Sequence, residues 1–203
     1  MKKPAKTKEL RLEDILFNCR DLLRGKASVA DKRDLMLTLV FLRFIGEKFN
    51  VRREEIKKEL EKIGAKGAFY DKQLDHPARY GAKGCFFLPT ECRWESIASH
   101  PADNKLNVDL DTVINRLETD NATLKGALPQ KIFTNAAISP IDLKKVIDEI
   151  DKVTHRNFPE RDLIGRVYEY YLQAFAIQAK DAKEQGEYGT PPESNANYAW
   201  ILH

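Results

Sequence analysis

Apolar residues return every three or four positions along most of this chain, and almost nowhere every second position. In "LRLEDILFNCRDLLRG", Leu12, Ile15, Leu16, Cys19, Leu22 and Leu23 fall on one stripe, which predicts a helix with a single buried face that Gly25 can close. From about residue 30 to 49 the apolar set Leu35, Met36, Leu37, Leu39, Val40, Phe41, Leu42, Phe44 and Ile45 runs nearly all round, so neighbours must cover this helix on several sides. It is expected to be the central element. The next stretch, "VRREEIKKELEKIG", keeps only Val51, Ile56, Leu60 and Ile63 apolar among its charges and reads as helical with a solvated face, Glu54 and Lys58 standing in the favourable i,i+4 order.

Residues 64–89 break this pattern with glycines, isolated aromatics and Pro77, so a long connection with one short element is expected there. Thr90 is a candidate N-cap for "ECRWESIASH", which turns Trp94 and Ile97 inward. In "VDLDTVINRLE" the stripe is Leu110, Val113, Ile114 and Leu117, with Asp109 as candidate cap. "SPIDLKKVIDEIDKV" offers Ser139 as N-cap and Pro140 at N1, then Ile141, Leu143, Val146, Ile147, Ile150 and Val153. A last long helix over 161–180 would face inward through Leu163, Ile164, Val167, Tyr168, Tyr171, Leu172 and Phe175. With no useful β-alternation, the expected fold class is all-α, a helical bundle.

Composition changes this picture little. The 203 residues suffice for a core without disulfides, and 42% hydrophobic with 32% charged residues suits a charge-rich helical protein. A net charge of +3 gives no global pull on nucleic acid, so any such attraction must come from local clusters. Cys19, Cys85 and Cys92 lack CxxC spacing and read as reduced thiols of a cytoplasmic protein; the basic start lacks the apolar core of a signal peptide. The run 35–46 is well short of the ~20 residues of a membrane span and carries Arg43.

Candidate chemistry is sparse. His76, Cys85, Cys92 and His100 do not have the spacing of a zinc finger, a ribbon or HExxH, and no GxSxG, P-loop or GxGxxG sequence occurs, so no catalytic residue and no metal ligand is assigned. The basic segments are 2–11 and 52–62. The first reads either as a solubilising tail or as a flexible arm on phosphates, and Tyr168 and Tyr171 read as core packing before base stacking.

Five stretches in order, "LEDILFNCRDLLRGKASVADKRDLMLTLVFLRFIGEKF", "FLPTECRWESI", "VINRLETDNATLKGALP", "RDLIGRVYEYYLQAFA" and "GEYGTPPES", resemble the N-terminal helical domain of the modification (M) subunit of type I restriction-modification enzymes. Those enzymes are adenine-N6-specific DNA methyltransferases. The resemblance implies a basic arm at 1–11, a helical domain over 12–183, and at 184–203 a short extended tail where a Rossmann-like methyltransferase domain would begin. It also implies DNA, a specificity (S) subunit and a second M subunit as partners, with no membrane. Gly186, Glu187, Tyr188, Thr190 and Pro191 match the family's Gly-Glu-Phe-Tyr-Thr-Pro signature, while Gly189 replaces its second aromatic. By that likeness Glu187, Tyr188, Thr190 and Pro191 form an incomplete binding site for S-adenosyl-L-methionine, with Thr190 and Pro191 near its methionine end. After Ser194 the family pattern fails, and the glycine-rich cofactor loop and the Asn/Asp-Pro-Pro-Tyr/Phe motif do not follow, as a frameshift or premature stop would leave it. The resemblance therefore implies a domain that clamps DNA and assembles subunits without catalysis or cofactor of its own, or alternatively a stand-alone helical interaction module that binds an S subunit or itself.

Overall fold

The computed structural model describes residues 11–153, together with the backbone but not the side chain of Val29. Within them the chain forms eight α-helices and two 3-10 turns, with no strand. Helix α1 is Leu12–Leu22, α2 Val29–Lys62, α3 Gly67–Leu74, α4 Pro77–Gly81, α5 Trp94–Ser99, α6 Leu106–Asp120, α7 Ile132–Asn135 and α8 Pro140–Ile150. The 3-10 turns are Thr90–Cys92 and Ala122–Leu124. The expected all-α class holds, whereas the helix expected over 161–180 and the tail at 184–203 lie outside the described residues.

Helix α2 organises the rest. Ser28 caps it by accepting a hydrogen bond from the Asp31 amide at 3.1 Å, and it then runs 34 residues, about 51 Å at the α-helical rise. The stretches 30–49 and 51–62 are thus one helix, and only the partners of its faces change. Its first half is buried through Leu35, Met36, Leu37, Leu39, Val40, Phe41, Leu42 and Ile45, and it packs against α5, α7 and α8. Its second half buries Ile56 and Leu60 under α3 and α4, while Val51 and Ile63 stand in solvent at 56% and 67% exposure. At the crossing with α5, Gly46 lies so close to Trp94 that an added Cβ would come within 2.9 Å of the Trp94 Cβ. Only a residue without a side chain admits that approach.

Around this axis α1 and α8 pair closely, burying Leu12, Ile15, Leu16 and Cys19 against a stripe of Leu143, Val146, Ile147 and Ile150. Asn18 donates to Glu149 at 3.3 Å and Lys26 pairs with Asp142 at 2.9 Å across the same seam. Gly25 follows α1 at φ +70°, the left-handed turn expected of it. Ser139 and Pro140 open α8 as expected, the Ser139 hydroxyl accepting from the Asp142 amide at 3.1 Å.

Three expectations need correction. The connection 64–89 holds two short helices, α3 and α4, the second begun by Pro77 at its first turn where a missing N–H costs nothing. Thr90 is not a side-chain cap: it starts a 3-10 turn, and α5 begins only at Trp94, after Arg93. Asp109 is not a cap either, because α6 begins three residues earlier at Leu106 and Asp109 turns to His100 at 2.9 Å.

Candidate functional site

The residues assigned from resemblance to the cofactor site, Glu187, Tyr188, Thr190 and Pro191, lie outside the described residues, as do the basic arm before Arg11 and the tyrosines of 168–171. Among the described residues three polar constructions stand out, and each ties one segment to α2 or α6.

The first fastens α3 and α4 to the second half of α2. Phe49, Tyr80 and Phe87 form an aromatic wedge, Phe49 stacking on Tyr80 at 4.6 Å between ring centres and Phe87 meeting both edgewise. The Tyr80 hydroxyl donates to the Leu74 carbonyl at 2.8 Å and accepts from Arg53 at 3.1 Å, so it closes α3 onto α4 and both onto α2. Burial raises the Tyr80 phenol above its ordinary value, and the Arg53 charge only partly offsets this. Arg53 and Arg93 converge on Asp75, and both guanidinium groups lie over the Phe49 ring. Beside them Arg52, only 6% exposed, donates to Glu59 at 2.8 Å, Glu55 at 2.9 Å and the Arg79 carbonyl at 3.1 Å. The hydrogen bond from Arg52 holds the Glu59 carboxyl below its ordinary range, and Arg79 reaches the same carboxylate at 3.4 Å. A solvated face was expected on this part of α2; Arg52 departs from it because three acceptors satisfy its buried donors.

The second construction hangs the segment after α6 from polar residues on the inner side of that helix. Asp111 accepts from the Phe133 amide at 3.0 Å, the Thr134 amide at 3.1 Å and the Thr134 hydroxyl at 2.6 Å, acting as a remote cap for α7. Asn107 donates to the Phe133 and Ile138 carbonyls, both at 3.0 Å. These bonds hold a turn in which Lys131 and Ala137 adopt φ +54° and +51°, backbone that side-chain-bearing residues seldom accept without support. Asn121 likewise pairs with both the N–H and C=O of Phe87, at 2.8 and 3.0 Å, in the manner of a strand neighbour.

The third lies at the end of α8. The Trp94 indole N–H donates to Asp151 at 2.6 Å, and Arg43 reaches the same carboxylate at 3.8 Å with its guanidinium 5.6 Å from the Trp94 ring centre.

The Thr134 hydroxyl, which donates to Asp111, is tied into the cap of α7, and none of these constructions holds a thiol. The Cys19 thiol is pushed up to about 12 by burial and then by Glu149, and Cys92 to about 12 by burial, Glu91 and Asp120, so both stay protonated near neutral pH. Burial raises the Cys85 thiol as well. Among the described residues no group of three His, Cys, Asp or Glu side chains is arranged to hold a metal, and His76, Cys85, Cys92 and His100 do not converge. The buried carboxylate of Asp111 spends its oxygens on α7. No described helix is long and apolar enough to cross a membrane.

What α1 to α8 define is therefore a helical domain whose polar side chains position backbone, and comparison with known proteins gives its family. Residues 12–150 match the family described as the HsdM N-terminal domain, and the chain belongs to that family. It is 28% identical over 186 residues to the type I restriction enzyme MjaIX methylase subunit of Methanocaldococcus jannaschii, covering 88% of this chain and 33% of that protein. The chain thus spans about a third of the length of the relative it matches. The polar anchors Asp111, Asn107 and Asn121 were missed by sequence reasoning. Their signal was available: Asp111 lies beside the inward stripe of Leu110, Ile114 and Leu117 on α6, and Asn121 continues that spacing just past the helix end, where one expects apolar residues.

Proposed function

We propose that this chain serves as the N-terminal helical domain of the adenine-N6 DNA methyltransferase subunit of a type I restriction-modification system. It clamps DNA and joins the subunit to a specificity subunit and a second methyltransferase subunit. The reading rests above all on the family match over residues 12–150. In support, the buried side chains of Arg52, Asp111 and Asn121 hold helices and turns together, which suits a rigid docking body. S-adenosyl-L-methionine is the cofactor of the whole enzyme in this reading, with Glu187, Tyr188, Thr190 and Pro191 as part of its site and Thr190 and Pro191 near its methionine end, and these 203 residues alone transfer no methyl group. Three unpaired cysteines fit a reducing cytoplasm as its location.

One experiment addresses both halves of the proposal. The chain is titrated against a labelled mixed-sequence duplex at low and moderate salt, and in parallel incubated with the duplex and S-adenosyl-L-methionine carrying a labelled methyl group. Salt-sensitive, sequence-indifferent binding without label transfer is expected. Label on the DNA, or no binding even at low salt, would refute the proposal.

A further inference from the structure

Basic residues are divided unevenly along this domain, and residues 11–47 hold seven Lys and Arg against six Asp and Glu. Residues 48–84, which comprise the second half of α2 with α3 and α4, hold ten Lys and Arg against six Asp and Glu; residues 91–153 hold eight against eleven. Within the basic lobe the two kinds of cation also differ in use. Its arginines are engaged internally: Arg52 on Glu55 and Glu59, Arg53 on Asp75, and Arg79 on Glu59. Lys57 is likewise tied to Glu54 at 2.6 Å.

Lys48 lies over the Phe44 ring, 4.6 Å from its centre, and the remaining lysines are not engaged in that way. Lys58, Lys62, Lys66, Lys72 and Lys83 are all exposed and have no ion-pair partner among the described residues. Of the lobe's acids only Glu61 and Asp71 are in the same position, so the uncompensated charge is positive. Lys58 and Lys62 stand one turn apart on α2, Lys66 and Lys72 at the start and second turn of α3, and Lys83 just past α4. Both short helices pack on α2, so one lobe carries all five.

We infer that this five-lysine lobe is the surface of the domain that meets the phosphate backbone of duplex DNA; the inference rests on the DNA-clamping reading above and assigns it a place. Lysine is a mobile, strongly hydrated point charge, suited to backbone contact that is indifferent to sequence. The acidic balance of 91–153 repels the same polyanion, so the domain is oriented with the lobe toward it. The arginine and aromatic fastening beneath keeps the lysines on a fixed platform.

The test uses the whole chain, a fluorescent mixed-sequence duplex and anisotropy measured across a salt series. Three variants are compared with the unmodified chain: K58Q/K62Q/K66Q/K72Q/K83Q in the lobe, K105Q/K125Q/K131Q in the acidic part, and K2Q/K3Q/K6Q/K8Q in the basic start. All the lobe and control positions are exposed, and circular dichroism confirms folding. The lobe variant is expected to lose about tenfold or more in affinity, and its plot of log K against log salt to flatten by roughly 0.9 per phosphate contact removed. The acidic-part variant should change less than about twofold. A lobe variant that binds like the unmodified chain, or a control that loses as much, overturns the inference. If only the 2–8 variant loses binding, DNA clamping stands and the lobe assignment falls. If the unmodified chain itself does not bind, both fall.

Discussion

The first half of α2 runs through a body closed by leucine, isoleucine and tryptophan, whereas its second half carries a lobe fastened by arginine, tyrosine and carboxylate. One helix therefore depends on two kinds of force along its length. In the body, apolar area removed from water is the main stabilising term, worth about 25 cal/mol per Å², and the polar residues there serve direction: Asp111 aims α7 and Asn121 holds Phe87. In the lobe less is buried. Ile56, Leu60, Leu74 and Tyr80 are covered, but Val51, Ile63 and Phe69 are not, and ion pairs at the rim are individually worth only about 0–1 kcal/mol. A helix long enough to serve both regions lets a less stable lobe present charge while the body keeps it in register.

The largest effect that would break this comparison is expected at Trp94. Trp94→Ala removes a buried indole that donates to Asp151, and should lower stability in urea denaturation by about 3–5 kcal/mol. A loss below about 1 kcal/mol would mean that the body is not closed there. A smaller effect, confined to the lobe, is expected from Tyr80→Phe. The ring keeps its stack on Phe49, but the bonds to Leu74 and Arg53 are lost, for about 1 kcal/mol. Hydrogen exchange should show faster local opening of α3 and α4 with α6 and α8 unchanged; uniform acceleration everywhere would show that lobe and body open as one.

The smallest effect belongs to the body and depends on pH. Both ring nitrogens of His100 face acceptors, the Pro101 carbonyl at 2.8 Å and Asp109 at 2.9 Å, an arrangement satisfied fully only by the protonated ring. Burial opposes the charge, but these two bonds and the Asp109 and Asp103 charges outweigh it and raise the pKa above its ordinary value. A raised folded-state value means that the contribution is complete below about pH 6.5 and is lost as pH climbs through the folded value. The stability difference between the unmodified chain and His100→Gln should therefore be larger at about pH 5.5 than at about pH 8.5. An equal difference at both would remove His100 from the account.

Much of the body was legible because its signals are local. The stripes of α1 and α8 and the Ser139-Pro140 start need only neighbouring residues to be recognised, and the structure reproduces them except at Ile141, which stands in solvent at 59% exposure. The continuity of α2 was hidden by a change of partners at about residue 50: a core helix becomes an amphipathic one without any break in the backbone. The helices α3 and α4 were hidden by glycine and proline punctuation, and what holds them is long-range, since Tyr80, Phe49 and Arg93 meet only after folding. The same holds for Asp109 and Asp111, one read as a cap and the other not noticed. Each finds its partner in a different segment, His100 for the first and α7 for the second. The family was legible from the order of the motifs, while Glu187, Tyr188, Thr190 and Pro191 lie outside the described residues.

The division of labour between lobe and body is tested most directly by lysine footprinting. The chain is briefly acetylated with and without excess mixed-sequence duplex at low salt, and each lysine is quantified by mass spectrometry. Protection by DNA at Lys58, Lys62, Lys66, Lys72 and Lys83, with Lys105, Lys125 and Lys131 equally reactive in both samples, is the predicted result. Protection of the latter three, with the lobe lysines left reactive, would contradict it.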